Sequence, residues 1–166
     1  PGPARTAQPS TVATAAPPPP SIVLVLADDL SMDVVRTMGA VRRMQRQGAS
    51  YRHSYVVDST CCPSRASLLT GQYPHQTGVL TNTARRVGFP RRFGPVGGWA
   101  AFRRNGNVAR SANVRLHEAG YTTGYVGKYL NQYESRVRLP AGWSRWRAVL
   151  GSAYNGWDFD ITRSRR

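Results

Sequence analysis

The sequence predicts an α/β fold, and two observations lead to that prediction. Residues 22–26 form an uninterrupted apolar run, Ile-Val-Leu-Val-Leu, which is β-branched at three of its five positions. Such a run is typical of a strand buried on both faces, the kind found in parallel sheets. After this run, segments with helix and strand patterns alternate along the chain, which indicates helices packed against a sheet.

The first residues form a segment of their own. Residues 1–21 are rich in Pro, Ala, Thr and Ser and contain four consecutive prolines. Because this composition buries little apolar surface, we expect an extended, disordered linker or a processed N-terminal segment. The chain begins with Pro1 rather than Met, so we expect a processed protein or a fragment. The ordered domain is expected to cover residues 22–166.

The elements of that domain follow from local patterns. Apolar residues at helical spacing predict a first helix that ends at Gly48: Val34, Met38, Val41 and Met44. Residues 51–57 have the pattern of a second strand. Residues 62–71 predict a short helix, with proline near its start and glycine at its end.

The remaining pattern is less regular. Residues 82–107 are rich in Gly, Pro and Arg and predict a long surface excursion. A helix over 111–119, closed by glycine, and a strand over 121–129 complete the series. With 166 residues and 40% hydrophobic composition, the chain is long enough for one domain and is not wholly disordered.

The charge balance first suggests a nucleic-acid binder. Lys and Arg number 23 against 8 Asp and Glu, a formal charge of +15, and such an excess favours binding to a phosphate backbone. However, Lys128 is the only lysine, and the arginines are spread along the chain rather than gathered in one basic block. We therefore expect no nucleic-acid partner. No apolar run approaches the roughly 20 residues of a spanning helix, so we also expect no membrane span.

Two adjacent carboxylates follow the first predicted strand. Asp28 and Asp29 come at its carboxyl end, which is where open α/β sheets place their sites. Carboxylates this close repel each other, and a divalent cation relieves the repulsion. Oxygen ligands favour Ca²⁺ or Mg²⁺ over softer metals. A solvated pair of loop residues or a helix N-cap is the alternative.

A cysteine motif opens the second predicted helix. Residues 61–65 are Cys-Cys-Pro-Ser-Arg. A cysteine at a helix N-terminus has a stabilised thiolate, and the helix end favours an oxyanion that Arg65 could also reach. A buried free thiol is the alternative. The Cys-x5-Arg spacing of cysteine phosphatases is absent, and adjacent cysteines with scattered histidines do not match the spacings of zinc sites.

At this point the chain resembles a known family. Residues 61–71 match the type I sulfatase signature, Cys-x-Pro-Ser-Arg-x-x-x-Leu-Thr-Gly, at its fixed positions. Further segments are similar to the branch of glucosamine-6-sulfatases and heparan-sulfate endosulfatases: 73–75, 127–131 and 139–143. The resemblance covers residues 22 to about 160. It implies an alkaline phosphatase-like, three-layer α/β/α fold with a mostly parallel central sheet, here only its N-terminal part.

The resemblance implies a sulfuric ester hydrolase. Cys61 would be converted to formylglycine by a formylglycine-generating enzyme, and the hydrated aldehyde would attack the sulfur of a sulfate ester. Cys62 occupies the variable position of the signature. Asp28, Asp29 and Cys61 would contact the metal, with Ca²⁺ preferred and Mg²⁺ as the alternative.

Three further residues receive roles from the same resemblance. Arg65 would hold the formylglycine hydrate, Lys128 would contact the sulfate, and His75 would line the substrate pocket. The substrate would be a sulfated carbohydrate or another sulfate ester, and the protein would be secreted or periplasmic.

The chain also departs from the family. Leu130 stands where many sulfatases have a histidine, as in the glucosamine-6-sulfatase branch, and no later segment matches the second group of metal ligands. We therefore expect residues 22–166 to be a sulfatase domain truncated on its C-terminal side. The alternatives are an inactive fragment and a formylglycine-dependent phosphonate or phosphate ester hydrolase.

Overall fold

The computed structural model of the chain describes residues 17–85, 88, 90, 92, 94–134, 139–151 and 156–162. The chain divides into two compact units, Pro1–Arg43 and Met44–Arg166. Most of the predicted linker over residues 1–21 lies outside the described residues. Its last residues, 17–21, are exposed and form neither helix nor strand.

The first unit shows why one predicted helix becomes two. Helix α1 covers Met32–Val35 and helix α2 begins at Gly39 and ends at Gln47, so the predicted stop at Gly48 is confirmed. Between them the Thr37 hydroxyl donates to the Val34 carbonyl at 2.8 Å. Such a local bond competes with the helical pattern, and glycine at the start of α2 adds little helix propensity.

The predicted strand over residues 22–26 is wrong for this structure. These residues form neither helix nor strand, and Val23 and Val25 are 86% and 85% exposed. An apolar run becomes a buried strand only when neighbouring strands satisfy its backbone and cover its faces. Residues 51–57 are likewise exposed and do not form the predicted strand.

The second unit contains five helices among its described residues, after the end of α2. These are α3 Cys61–Thr70, α4 Pro74–Thr77, α5 Gly98–Arg104, α6 Asn107–Arg110 and α7 Ala112–Glu118. Helices α3 and α7 confirm two sequence predictions. Helix α5 contradicts part of a third, because it lies within the predicted surface excursion over 82–107.

A two-stranded parallel sheet completes the second unit. Strand β1 covers Gly124–Gly127 and strand β2 covers Arg145–Ala148, paired in parallel from Gly124 with Arg145 to Gly127 with Ala148. Strand β1 lies within the predicted strand over 121–129. The α/β class and the parallel pairing are thus confirmed, and the larger three-layer arrangement stays a prediction.

An aromatic core lies beneath these elements. Its buried rings come from α5, from the segment after β1 and from β2: Trp99, Phe102, Tyr129, Tyr133 and Trp146. The rings pack at centroid distances such as 4.9 Å between Tyr129 and Trp146. Each fully buried aromatic side chain contributes about 1.5–3 kcal/mol. Trp99 and Phe102, three residues apart, give α5 its buried face, which the Gly, Pro and Arg around them conceal in the sequence.

Two glycines allow α5 to begin against neighbouring backbone. A Cβ at Gly97 would lie 2.2 Å from the Thr81 carbonyl oxygen. Gly98 has a φ of 62°, and a Cβ there would lie 3.0 Å and 3.2 Å from the carbonyl oxygens of Asn82 and Asn131. The loops that carry these two asparagines therefore close on the start of α5 only because both positions are glycine.

Candidate active site

Helix α3 supplies the framework of the site. Thr60 precedes it in an extended conformation, Pro63 lies in its first turn, and Gly71 ends it with a φ of 68° and a hydrogen bond to the Ser67 carbonyl at 2.8 Å. Proline is preorganised for a first turn and glycine for a left-handed cap. These residues fix where the helix begins, and thus place Cys61 as its first residue.

Lys128 reaches Cys61 from the segment that follows β1. Its Nζ lies 3.3 Å from the Cys61 Sγ, and both residues are half-buried. The first backbone N–H groups of a helix and a nearby ammonium both attract negative charge. Sequence positions 61 and 128, which are 67 residues apart, thus lie side by side in the fold.

Arg65 fixes the backbone of this lysine. Its Nη1 donates to the Lys128 carbonyl at 2.5 Å and contacts the Tyr129 carbonyl at 3.4 Å, and the residue is 7% exposed. The Tyr125 hydroxyl donates to the same Lys128 carbonyl. Two donors from different elements thus hold the backbone of Lys128. This contact of Arg65 was not foreseen from the sequence.

Cys62 is more deeply buried than its neighbour. It is fully buried within the aromatic core cluster, whereas Cys61 is half-buried. Burial raises the pKa of the Cys62 thiol from 9.0 to about 11, partly offset by the Asn131 N–H and by the charges of Lys128 and Arg65. The Cys62 thiol therefore stays protonated at neutral pH.

Two asparagines hold Cys62 in place. The Asn82 Oδ1 accepts a hydrogen bond from the Cys62 backbone N–H at 2.8 Å and so caps α3 from a distant loop. The Asn131 N–H donates to the Cys62 Sγ at 3.0 Å, and the Asn131 Oδ1 lies 3.3 Å from the same sulfur. The only local signal for Asn131 was its closeness to Lys128 in the sequence. Asn82 offered no comparable signal, because its contact spans 20 residues.

The other predicted site residues are placed as follows. His75 lies on α4, exposed, with its ring stacked on Tyr73 at 5.8 Å. Asp28 and Asp29 lie in the first unit and are exposed, and Asp29 has a left-handed φ of 52°. The structure thus brings together Cys61, Arg65 and Lys128 in the second unit.

The sequence around α3 contains many basic residues and no acidic ones. The sequence has no Asp or Glu from residue 59 to residue 117, a stretch that contains the whole of α3 and nine arginines. An ammonium beside the first turn of a helix is suited to a tetrahedral oxyanion such as sulfate or phosphate.

Comparison with known proteins decides the family. The family model described as Sulfatase matches residues 20–157, which include every residue of the site above. The chain belongs to the sulfatase family. Membership accounts for the signature over 61–71 and agrees with the α/β class of the fold.

Several sulfatases are similar to this chain. It is 36% identical over 86% of its length to the extracellular sulfatase SULF-1 homolog of Drosophila melanogaster. It is 32% identical over 89% of its length to the N-acetylglucosamine-6-sulfatase of Capra hircus, and 30% identical over 80% to an arylsulfatase of Volvox carteri. The chain spans 12%, 26% and 20% of the lengths of these three relatives. No solved structure matches it significantly.

In the part of the chain that the structure describes, no helix has both the length and the apolar character needed to cross a bilayer.

Proposed function

We propose that this sulfatase-family protein is a sulfuric ester hydrolase whose nucleophile derives from Cys61. One observation carries the proposal: the Cys61 Sγ stands at the start of α3, 3.3 Å from the Nζ of the only lysine in the chain. The family signature supplies the chemistry that this geometry alone leaves open. Formylglycine made from Cys61 would supply a hydrated aldehyde: one hydroxyl oxygen would attack sulfur and displace the alcohol, and the second hydroxyl would then expel the sulfate as the aldehyde re-forms.

The two cysteines have separate roles in this proposal. A formylglycine-generating enzyme would need access to the thiol it converts, and Cys61 is the more accessible of the pair. Cys62 is fully buried and its sulfur is bonded to Asn131. The proposal therefore assigns conversion to Cys61.

Lys128 and Arg65 would serve the anion in different ways. The Lys128 ammonium, close to residue 61, would bind a sulfate oxygen and stabilise charge as the ester bond to sulfur breaks. Arg65 would offset the charge of the hydrate while its Nη1 keeps the Lys128 backbone in place. Lysine is a compact point charge, so its position matters more than the orientation of its side-chain atoms.

A divalent cation is part of the proposal. Asp28 and Asp29 offer carboxylate oxygens, the donor type that Ca²⁺ prefers and Mg²⁺ also accepts, and Cys61 would supply a further ligand after conversion to an oxygen group. Asp29 has a left-handed backbone, a conformation that aspartate adopts more readily than most residues. When bound, the cation would act as a Lewis acid toward the sulfate oxygens.

The names of the relatives support a substrate class and a location. One is named N-acetylglucosamine-6-sulfatase and another is named an extracellular sulfatase. We propose a sulfated carbohydrate as substrate, with His75 at the edge of its pocket, and a secreted or otherwise extracytoplasmic protein. The exposed, Tyr73-stacked ring of His75 is compatible with a contact to a sugar.

Comparative turnover tests the proposed reaction. The chain is produced together with a formylglycine-generating enzyme, supplied with Ca²⁺, and assayed on matched aryl sulfate and aryl phosphate monoesters and on N-acetylglucosamine-6-sulfate. We expect kcat/KM for the sulfate to exceed that for the phosphate by at least about tenfold, a difference of about 1.4 kcal/mol in transition-state binding. Faster release of phosphate than of sulfate would replace the proposal by a phosphate or phosphonate ester hydrolase.

A further inference from the structure

Cys62 connects two parts of the site that the sequence keeps far apart. Its backbone N–H is bound by Asn82 and its sulfur by Asn131, which lies 69 residues further along the chain. Both contacts are at the first turn of α3, directly beside Cys61. A buried thiol in this position is thus a junction between the helix and the segment that carries Lys128.

The segment from Lys128 to Asn131 is fixed at both ends. At its start, Arg65 and Tyr125 donate to the Lys128 carbonyl. At its end, the Asn131 N–H donates to the Cys62 sulfur at 3.0 Å, and the Asn131 carbonyl accepts from the Trp99 N–H at 2.9 Å. The residues between these ends, Tyr129 and Leu130, are buried. Arg65 thus anchors the start of the segment to α3 and Cys62 anchors its end, so loss of the second anchor would let the segment tilt and change the distance from Lys128 to Cys61.

We infer that Cys62 is a positioning residue, which sets the separation of Cys61 and Lys128 by holding Asn131 through its buried thiol. The thiol makes two hydrogen bonds to this residue: its sulfur accepts one from the Asn131 backbone N–H, and its S–H donates one to the Asn131 Oδ1 at 3.3 Å. Only the importance of the Cys61–Lys128 separation for catalysis rests on the proposed function. The separation itself is a property of the unconverted chain and can be measured without any activity.

Three substitutions separate the sulfur's polar contacts from its volume. Cys62→Ser keeps a small group that accepts and donates. Cys62→Ala removes both contacts and leaves a small cavity, and Cys62→Val fills the site without any polar contact. If the sulfur acts only by packing, the valine variant should keep the Cys61–Lys128 separation closer to that of the parent chain than the serine variant does. If the sulfur positions Asn131, the serine variant should keep that separation better than the valine variant.

The single lysine makes a direct proximity assay feasible. Ortho-phthalaldehyde joins a primary amine and a thiol that lie within bonding reach, forming a fluorescent isoindole. Lys128 is the chain's only lysine, so peptide mapping assigns any lysine-derived product to it and identifies the cysteine partner. The reaction is run on the unconverted chain, made without the formylglycine-generating enzyme, and far-UV circular dichroism confirms equal folding.

The expected order of isoindole formation distinguishes the possibilities. We expect a Cys61–Lys128 product in the parent chain, a rate within about twofold for Cys62→Ser, and a rate lowered about fivefold for Cys62→Ala and Cys62→Val, as for loss of one hydrogen bond. Parental rates in both Cys62→Ala and Cys62→Val would overturn the inference. If alanine fails to fold, the valine and serine variants still decide it. Failure of the proposed sulfatase reaction would leave this result unchanged.

Discussion

Replacing Cys61 by alanine is expected to lower sulfate release by more than about a thousandfold, the scale of removing a covalent nucleophile. The methyl group of alanine cannot be converted to an aldehyde and has no oxygen or sulfur to attack the ester. The residual rate would come from binding alone. The measurement is kcat on an aryl sulfate, with the chain produced together with the formylglycine-generating enzyme and supplied with Ca²⁺.

Two matched variants make this result specific to position 61. Cys61→Ser should be equally inactive over many turnovers. A serine that has taken up the sulfate carries no second hydroxyl on the same carbon, so it cannot expel the sulfate by forming an aldehyde. Cys62→Ser should lose no more than about fivefold, because serine preserves the contact to Asn131. The assignment of the nucleophile is wrong if the loss falls on the Cys62 variant and spares the two Cys61 variants.

Lys128→Ala is expected to lower kcat/KM for a sulfate ester by about a hundredfold, the cost of removing one preorganised charge donor at a developing anion. Its Nζ lies 3.3 Å from the Cys61 sulfur and is held there by backbone contacts from Arg65 and Tyr125. Lys128→Arg should recover only part of the lost kcat/KM, because the longer side chain and planar guanidinium of arginine do not occupy the position of a compact ammonium.

An exposed arginine offers the control for this second prediction. Arg103→Ala removes one positive charge from the outer side of α5 and should leave kcat/KM within about twofold, as an exposed surface substitution. Equal losses in the Arg103 and Lys128 variants would mean that overall charge governs the rate. An unchanged rate in Lys128→Ala would remove the lysine from the site.

The parts of the site that the sequence predicted are those encoded locally. Pro63 and Gly71 mark the ends of α3 within a few residues of one another, so the helix and the place of Cys61 on it could be predicted. Lys128 was singled out by its rarity and by the family resemblance of residues 127–131, and its Nζ lies 3.3 Å from the Cys61 sulfur. Its role toward the sulfate stays a prediction.

The parts that escaped prediction depend on distant contacts. The roles of Asn82 and Asn131 arise from hydrogen bonds across 20 and 69 residues, for which no local pattern exists. Helix α5 was missed because two closely spaced aromatic residues were outweighed by surrounding Gly, Pro and Arg. The run over 22–26 has strand propensity, but propensity becomes a strand only where a partner is available, and the described residues provide none.

Strand β2 illustrates the same point on a smaller scale. Its four residues, Arg145–Ala148, alternate between exposed and buried positions, which is the pattern of a half-buried strand. The alternation is short and includes two arginines, so it predicts little by itself. Pairing with β1 and packing of Trp146 against Tyr125 at 4.7 Å make it a strand.

The central claim is that Cys61 is the residue converted to formylglycine, and peptide mass spectrometry tests it most directly. Cleavage after arginine releases residues 53–65 as one peptide that contains both cysteines. After co-production with the formylglycine-generating enzyme, we predict an aldehyde at position 61 and an intact thiol at position 62, located by fragmentation and by an aldehyde-specific label. An aldehyde at position 62, or two intact thiols alongside a fully converted control sulfatase, would contradict the account.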